Sequence, residues 1–237
     1  MNERQSKLLA AIIDQFIATA TPVGSHHLLE AGMFDVSGAT VRNEMRFLSE
    51  EGFLIQPHVS AGRIPTAKGY RLYVQQYMQP SKHEVRVRKR FQELQNQYLQ
   101  RKDQERAYDA VGLLSHMVPD VAFATVPHKD RVYYLGLSNV FRQPEFQADP
   151  RLATGVAEVL EEQLTETLGE LNIDDSVQYY IGEEHVLPQI QSCSLMVTQY
   201  KLREYEGVIG ILGPMRMDYA YNTVALQLVA NLLRSGA

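Results

Sequence analysis

Two arginines and an asparagine recur on one face of a helix that is predicted to begin after Ser37. At 3.6 residues per turn, Arg42, Asn43 and Arg46 fall within an arc of about 100°, together with the small residue Ala39. A guanidinium can form a two-pronged hydrogen bond with guanine, a side-chain amide can do so with adenine, and both can hold phosphate. The spacing therefore predicts a helix face that contacts bases in the DNA major groove. An ordinary solvated surface is the alternative interpretation.

The opposite side of this helix is apolar, which indicates how the polar face would be held outward. Val41, Met45 and Leu48 recur at i, i+4 and i+7, the spacing of a stripe that faces a core. Ser37 is a favoured N-cap residue, and Gly52 is expected to end the helix. The predicted helix therefore has a buried side, an exposed side and defined ends.

A short hairpin is predicted directly after this helix. Residues 53–55 and 63–65 flank a polar, glycine-containing turn, as the two strands of a hairpin would. Two further helices are predicted upstream, separated by a break at residues 21–24. Three short helices followed by a hairpin are typical of a winged helix-turn-helix, and we expect such a DNA-binding domain over residues 1–80.

The hairpin, or wing, extends the predicted contact surface. Ser60, Gly62 and Arg63 are expected to lie near DNA, with Arg63 on phosphate or in the minor groove. Gly62 is expected to let the turn close and the backbone approach DNA. His58 lies in the same loop and is a further candidate contact.

Phosphate contacts are expected at the start of two helices. Ser37 and Thr40 are assigned to phosphate beside the predicted base-reading face. Lys68 and Arg71 begin the helix after the hairpin, where they either follow the phosphate backbone or form a solvated basic surface. The predicted DNA-binding residues are Ser37, Ala39, Thr40, Arg42, Asn43, Arg46, His58, Ser60, Gly62, Arg63, Lys68 and Arg71.

Composition bounds the size and the compartment of the protein. The chain has 237 residues, of which 45% are hydrophobic, and this suits two modest domains. The one cysteine, Cys193, excludes an internal disulfide framework and is expected to be a small buried side chain. No apolar run approaches the roughly 20 residues of a membrane span, and the N-terminus lacks a signal-peptide pattern. We therefore expect a cytoplasmic protein without membrane contact.

Charge is unevenly distributed along the chain. Residues 1–106 carry 15 Lys and Arg against 11 Asp and Glu, whereas residues 107–237 carry 8 against 17. A basic N-terminal part on an acidic remainder fits a DNA-binding domain attached to a regulatory or assembly domain.

Residues 81–118 are predicted to form a highly charged helical linker. Val87, Phe91, Leu94 and Tyr98 are spaced 4, 3 and 4, which is a brief coiled-coil seam. The helix would pack either on a partner or on its own domain. The adjacent run of basic residues at 86–90 either touches DNA or is simply solvated.

Residues 119–237 are predicted to form an α+β domain with an antiparallel sheet and flanking helices. Neither a nucleophile–base pair nor a metal triad is apparent, so we expect no enzyme activity, no cofactor and no metal. The acidic segment 182–185 is interpreted as a solvated turn after a strand. The predicted strands are 121–126, 131–137, 177–181, 195–200 and 208–212, and the predicted helices are 149–171 and 218–234.

Several stretches of the chain carry a family resemblance. They read PVGSHHL, SGATVRNEMRFLSEEGFLIQPHVSAGRIPTAKGYRLYV, GLSNVFRQPEF, IGEE and GVIGILGPMRMDYA. These stretches resemble the bacterial heat-inducible transcription repressors of the HrcA family, strongly over residues 1–80 and again from about residue 133 onward. The long stretch around the predicted recognition helix is far more specific than any short motif.

The resemblance implies a dimeric repressor of chaperone operons that binds an inverted-repeat operator (CIRCE) through a winged helix. It further implies a GAF-like domain with an inserted dimerisation segment, and a partnership with the chaperonin GroEL that makes repression sensitive to unfolded protein. We therefore expect double-stranded DNA, a second copy of the chain and GroEL as partners.

This sequence departs from the family pattern at one place. Family members usually run about a hundred residues longer, and here only a tight turn separates residues 123–125 from residues 133–135. We therefore expect a reduced GAF-like domain at 119–237 that lacks the inserted segment. A substitute dimer interface is expected in the 81–118 helix or in the reduced sheet.

Two other functions are compatible with the sequence. A small-molecule-responsive winged-helix regulator would use the C-terminal domain as a sensor. Alternatively, the chain is a protein-interaction module that has lost operator binding together with the missing segment.

Overall fold

The computed structural model describes all residues except 31, 33, 99–105, 127–128, 186, 203–204 and 236–237. The chain divides into two compact units, Met1–Met78 and Gln79–Ala237. Each unit combines α-helices with antiparallel strands, so the predicted α+β class is confirmed.

The first unit is four helices and one small hairpin. A capping box starts the first helix, because Asn2 and Gln5 exchange side-chain to backbone hydrogen bonds of 2.9 Å. Gly52, with φ +77°, follows the end of the third helix, as predicted. The elements are α1 (Glu3–Thr19), α2 (Ser25–Glu30), α3 (Gly38–Glu50), β1 (Leu54–Ile55), β2 (Ile64–Pro65) and α4 (Ala67–Gln76).

Apolar stripes of the helices form the core of this unit. Val41, Met45 and Leu48 of α3 are buried, as predicted, and α3 packs against α1. A hydrogen bond joins α4 to α1, because the Tyr73 hydroxyl on α4 donates to Asp14 on α1 at 2.6 Å. The packing fixes the direction in which the other face of α3 points.

The described residues of the second unit form a five-stranded sheet and seven α-helices. Its helices are α5 (Glu84–Tyr98), α6 (Arg106–Met117), α7 (Leu137–Phe141), α8 (Pro144–Ala148), α9 (Pro150–Glu158), α10 (Leu164–Glu170) and α11 (Tyr219–Ser235). A π-helical stretch, Val159–Gln163, joins α9 to α10. The strands are β3 (Val121–Val126), β4 (Lys129–Leu135), β5 (Gln178–Ile181), β6 (Cys193–Leu202) and β7 (Tyr205–Pro214).

The sheet is antiparallel throughout, with strand order β4-β3-β7-β6-β5. One face carries Val121, Phe123 and Leu195, which pack against the segment from α7 to α10. The other face packs against α6 and α11, where the Ser194 and Tyr219 hydroxyls are 2.8 Å apart. The sheet is therefore a central layer between two layers of helices.

The segment predicted as a linker contains α5 and α6, and both pack inside the second unit. Val87, Phe91 and Leu94 of the predicted seam are buried, and α5 contacts α6 and α11. The side chain of Tyr98, the fourth seam residue, lies outside the described part of the structure. These three residues thus pack on their own unit.

Other predictions for the second unit located the elements correctly but missed some of their ends and contacts. Cys193 is buried, as expected, and β6 and β7 extend beyond the predicted strands. The predicted strand 131–137 ends at Leu135, because Gly136 takes φ +98° and is the N-cap residue of α7. The interpretation of residues 182–185 as a solvated turn is wrong for Gly182 and His185, which are buried. His185 accepts a hydrogen bond from the backbone N–H of Leu187.

Among the described helices, none combines the length and the apolar character that a membrane crossing requires.

Candidate nucleic-acid interface

The exposed face of α3 carries the side chains that the sequence assigned to base contacts. Arg42, Asn43 and Arg46 are all exposed, and so is Ala39 on the same face of the helix. Arg46 donates from Nη2 to Oδ1 of Asn43 at 3.2 Å, so the two side chains are held together. In the described part of the chain, neither Arg42 nor Arg46 forms an ion pair with a carboxylate. The face is therefore rich in hydrogen-bond donors and locally positive.

The N-terminal end of α3 is capped by its own side chains. Ser37 accepts a hydrogen bond from the backbone N–H of Thr40 at 3.2 Å, and the two hydroxyls are 2.9 Å apart. Ser37 is exposed and Thr40 is half-buried. Backbone N–H groups in the first turn of a helix, together with its dipole, favour an anion such as phosphate.

A charged pair on the inner side fixes α3 against α1. Glu44 is 8% exposed and accepts a 2.6 Å hydrogen bond from Nε of Arg4, which also contacts it through Nη2. The Glu44 carboxylate raises the pKa of the Arg4 guanidinium. Sequence reasoning missed this contact, because a carboxylate next to an apolar stripe gives no sign that a partner lies 40 residues away.

The loop of the hairpin is closed by the side chain of Gln56, which was not among the predicted DNA-binding residues. Nε2 of Gln56 donates to the carbonyl oxygens of Val59 at 2.9 Å and Ala61 at 2.8 Å. His58 and Ser60, both exposed, contact each other with 3.3 Å between Nδ1 and Oγ. Val59 is 97% exposed. The loop therefore presents polar side chains around one apolar residue.

The second strand of the hairpin is tied to the break between α1 and α2. The backbone N–H groups of Val23 and Arg63 each donate to the other's carbonyl at 2.9 Å. A Cβ on Gly62 would lie 2.4 Å from the Val23 carbonyl carbon, and the φ of Gly62 is not positive. Gly62 is therefore needed for close packing on Val23, a reason that the sequence did not predict. The buried Nε of Arg63 has no hydrogen-bond partner among the described residues.

The side chain of Lys68 forms its contacts at the C-terminal end of α3, whereas Ser37 lies at the N-terminal end. Its Nζ donates to the carbonyl oxygen of Glu51 at 2.7 Å and lies 4.5 Å from the centre of the Phe53 ring. A helix of 13 residues is about 20 Å long, so this contact is far from the capped N-terminus. Arg71 is half-buried on α4.

The net charge of the first unit is smaller than the sequence division indicated. Residues 1–78 carry 7 Lys and Arg and 7 Asp and Glu, while residues 79–106 carry 8 against 4. The positive excess thus belongs to the start of the second unit. Any attraction of the first unit to DNA depends on the local arrangement of its arginines.

The structure brings the predicted residues together in two groups. One is the α3 group, in which Ala39, Arg42, Asn43 and Arg46 share an exposed face next to the capped end of the helix. The other group lies on the hairpin and contains His58, Ser60, Gly62 and Arg63. In the described part of the chain, no cluster of three or more His, Cys, Asp or Glu has the arrangement of a metal site.

Comparison with known proteins identifies the relatives of this chain. The family profile described as "HrcA protein C terminal domain" matches residues 79–222. The heat-inducible transcription repressor HrcA of Desulforudis audaxviator is 27% identical over 340 aligned positions, covering 99% of this chain and 97% of that protein. The protein of the same name from Alkaliphilus metalliredigens is 54% identical over 85 residues, covering 36% of this chain and 25% of that protein.

A solved structure supports the fold independently. It is titled "Crystal structure of a hypothetical protein at 2.2 A resolution" and superposes with a TM-score of 0.79 at 17% identity. The match covers 99% of this chain and 97% of that chain. At this identity, the likeness shows the fold alone.

These findings place the chain among non-enzymatic transcription regulators. The chain belongs to the HrcA family, because the family profile spans more than half of its residues. Since the alignment with the Desulforudis protein has 340 positions and this chain has 237 residues, at least 103 positions face a gap in this chain.

Proposed function

We propose that this protein is a sequence-specific transcriptional repressor of heat-shock genes, and that its first unit is a winged helix-turn-helix. The observation that carries the proposal is the exposed face of α3, where Arg42, Asn43 and Arg46 point away from the buried stripe. The two arginines have no carboxylate partner in the described residues, so their donors can bind base edges and phosphate. α3 is the recognition helix in this proposal.

The ends of α3 and the hairpin supply the phosphate contacts. Ser37 and Thr40 border a helix N-terminus, where backbone N–H groups attract phosphate. The hairpin acts as the wing, with His58, Ser60, Gly62 and Arg63 next to the DNA backbone or the minor groove.

Lys68 and Arg71 follow the phosphate backbone in the same proposal. An ammonium has three N–H donors, and Lys68 uses one on the Glu51 carbonyl, so it can hold phosphate as well. Such contacts add affinity for any sequence, and they weaken as salt rises.

The second unit is proposed to serve assembly and regulation as a reduced GAF-like domain. An inverted-repeat operator favours a protein with two-fold symmetry, so we propose a homodimer. The chaperonin GroEL is the proposed regulatory partner, and the cytoplasm is the proposed compartment. Because at least 103 positions of the alignment with the Desulforudis protein have no counterpart in this chain, we propose that the dimer interface lies in the segment 81–118 or in the sheet.

Binding to an inverted-repeat operator duplex tests the proposal. Fluorescence anisotropy at 50, 100 and 200 mM salt should give an affinity at least about 10³-fold higher than for a scrambled duplex of equal length. Arg151→Ala is a suitable control, because this arginine is 92% exposed in the second unit and pairs only with Asp149 among the described residues. Equal affinity for both duplexes at every salt concentration would instead support an interaction module that has lost operator recognition.

A further inference from the structure

A groove opens in the second unit between the end of α6 and the start of α7. Its volume is about 670 Å³, within the range of small-molecule sites in proteins. His116 lies on the α6 wall, and Ser138, Asn139 and Arg142 lie on the α7 side. The groove is formed within one unit, and it has no part in the proposed DNA interface.

The α7 side of the groove belongs to the stretch GLSNVFRQPEF, whose members mostly have a structural role. A Cβ on Gly136 would lie 2.6 Å from the carbonyl oxygen of Asp120, so a glycine is needed there. Glu145 forms a 2.5 Å ion pair with Arg216. Phe146 is buried in the apolar core. The fold therefore accounts for these residues without a ligand.

Two polar members of the stretch remain exposed. Ser138 and Arg142 are four residues apart, so they lie on the same side of this helical turn, and both line the groove. Arg142 forms no ion pair with a carboxylate in the described part of the chain. Neither side chain is used by the packing that explains the rest of the stretch.

Three backbone carbonyls around the groove already accept hydrogen bonds. The Ser115 carbonyl accepts from Asn139 at 3.1 Å, and the His116 carbonyl accepts from Arg90 at 3.4 Å. The carbonyl of Pro119 accepts from the side chain of Gln143 at 2.7 Å. These donors occupy three carbonyls near the end of α6, and the exposed polar side chains that line the groove are His116, Ser138 and Arg142.

We propose that this groove is a binding site for a small molecule with a carboxylate or phosphate group. The guanidinium of Arg142 has the fork geometry for a two-pronged contact with such a group, and the Ser138 hydroxyl donates a further hydrogen bond. The site is independent of operator binding, so failure of either proposal leaves the other in place.

Thermal unfolding of the full chain tests this site with two probes. Sodium phosphate and sodium citrate are each titrated against sodium chloride at equal ionic strength. We expect a saturable rise in the unfolding midpoint of about 3–6 °C at a tenfold excess over the dissociation constant with at least one probe. A response to phosphate alone identifies a phosphate ligand, and a response to citrate alone identifies a carboxylate.

The variants Arg142→Gln and Arg142→Lys separate the site from a general salt effect. The Gln variant should lose the saturable rise, and the Lys variant should keep the charge with weaker binding, while Arg151→Gln should respond like the wild type. Should Arg142→Gln fail to fold, Ser138→Ala serves in its place, with a dissociation constant raised at least about fivefold. The proposal is overturned if neither anion gives a saturable rise, or if the variants at Arg142 and Ser138 respond like the wild type.

Discussion

Nη2 of Arg46 donates a hydrogen bond to the side-chain oxygen of Asn43, 3.2 Å away and one turn earlier on α3. The bond orders two long side chains on an exposed face before any partner binds. Because less rotamer freedom is then lost on binding, this pair is preorganised for contact with base edges.

Replacement of Arg46 should therefore reduce specificity as well as affinity. Arg46→Ala is expected to weaken operator binding by about 1–3 kcal/mol, with a much smaller loss on a scrambled duplex. Asn43→Ala and the double variant complete a double-mutant cycle, and we expect non-additive losses because the two side chains are in contact. Equal losses on operator and scrambled DNA would refute the base-reading role of Arg46.

The pair formed by Glu44 and Arg4 should contribute to folding. Glu44 is 8% exposed, so Glu44→Ala removes a mostly buried, charge-assisted hydrogen bond and should lower the free energy of unfolding by about 1–2 kcal/mol. Urea unfolding measures this difference. Arg4→Ala should also destabilise, because it leaves the buried Glu44 carboxylate without its partner, and the double variant should cost less than the sum of the two single losses. A double variant whose loss equals the sum of both would show that the pair is not coupled.

Gly62 should tolerate no side chain, because its Cβ position lies 2.4 Å from the backbone of Val23. Gly62→Ala is expected to destabilise the first unit by about 1–3 kcal/mol through this overlap. Gly169→Ala is the matched control, since its Cβ would have nothing within 4 Å and the residue lies in α10. That substitution should be neutral or stabilise by up to about 1 kcal/mol. Chemical denaturation of both variants checks the contrast, and equal effects would contradict it.

Asp120 should make the stability of the second unit depend on pH. Burial raises the pKa of its carboxyl to about 6, against the lowering effects of hydrogen bonds from Asn222 and Gln143 and of the Arg216 charge, while Asp218 adds repulsion. The folded state thus binds the proton more tightly than the unfolded state. The resulting stabilisation is present near pH 4 and is lost as pH rises through 6, a change of roughly 2–3 kcal/mol.

Asp120→Asn isolates this effect. The variant should lack the Asp120 part of the slope between pH 4 and 6, which is obtained as the difference in unfolding free energy from the wild type. It should be at least as stable as the wild type at pH 7, because the amide carries no buried charge, and a flip of the Asn222 amide, whose Nδ2 now donates to Oδ2 of Asp120, would turn its Oδ1 towards the new N–H. A difference between the two proteins that does not vary with pH would contradict the assignment.

Sequence alone predicted α3 well because three local signals agree there: a cap at Ser37, an apolar stripe, and Gly52 at the end. It missed the pairing of Val23 with Arg63, since a single bridged residue between two helices has no alternation to detect. The helices α7 and α8 were also missed, because five residues are too few to show a helical period.

Long-range contacts explain the remaining differences at the site. The hydrogen bond from Lys68 to the Glu51 carbonyl depends on how α4 packs, and no local sequence pattern predicts such a long-range contact. Counting charges up to residue 106 assigned the excess of Lys and Arg to the DNA-binding part of the chain. The first compact unit ends at Met78, so this excess belongs to the second unit. The side chains on the exposed face could be predicted, whereas the contacts that hold the face in position could not.

DNA cleavage from a single site on α3 tests the central claim most directly. Glu50 lies on the same side of α3 as Arg46 and is exposed, and Cys193 is buried, so Glu50→Cys can be labelled selectively with an iron-EDTA cleavage reagent. On an inverted-repeat operator, the account predicts two clusters of strand cleavage related by the two-fold axis of the operator. Uniform cleavage of operator and scrambled DNA alike, or no cleavage in a complex that forms, would contradict it.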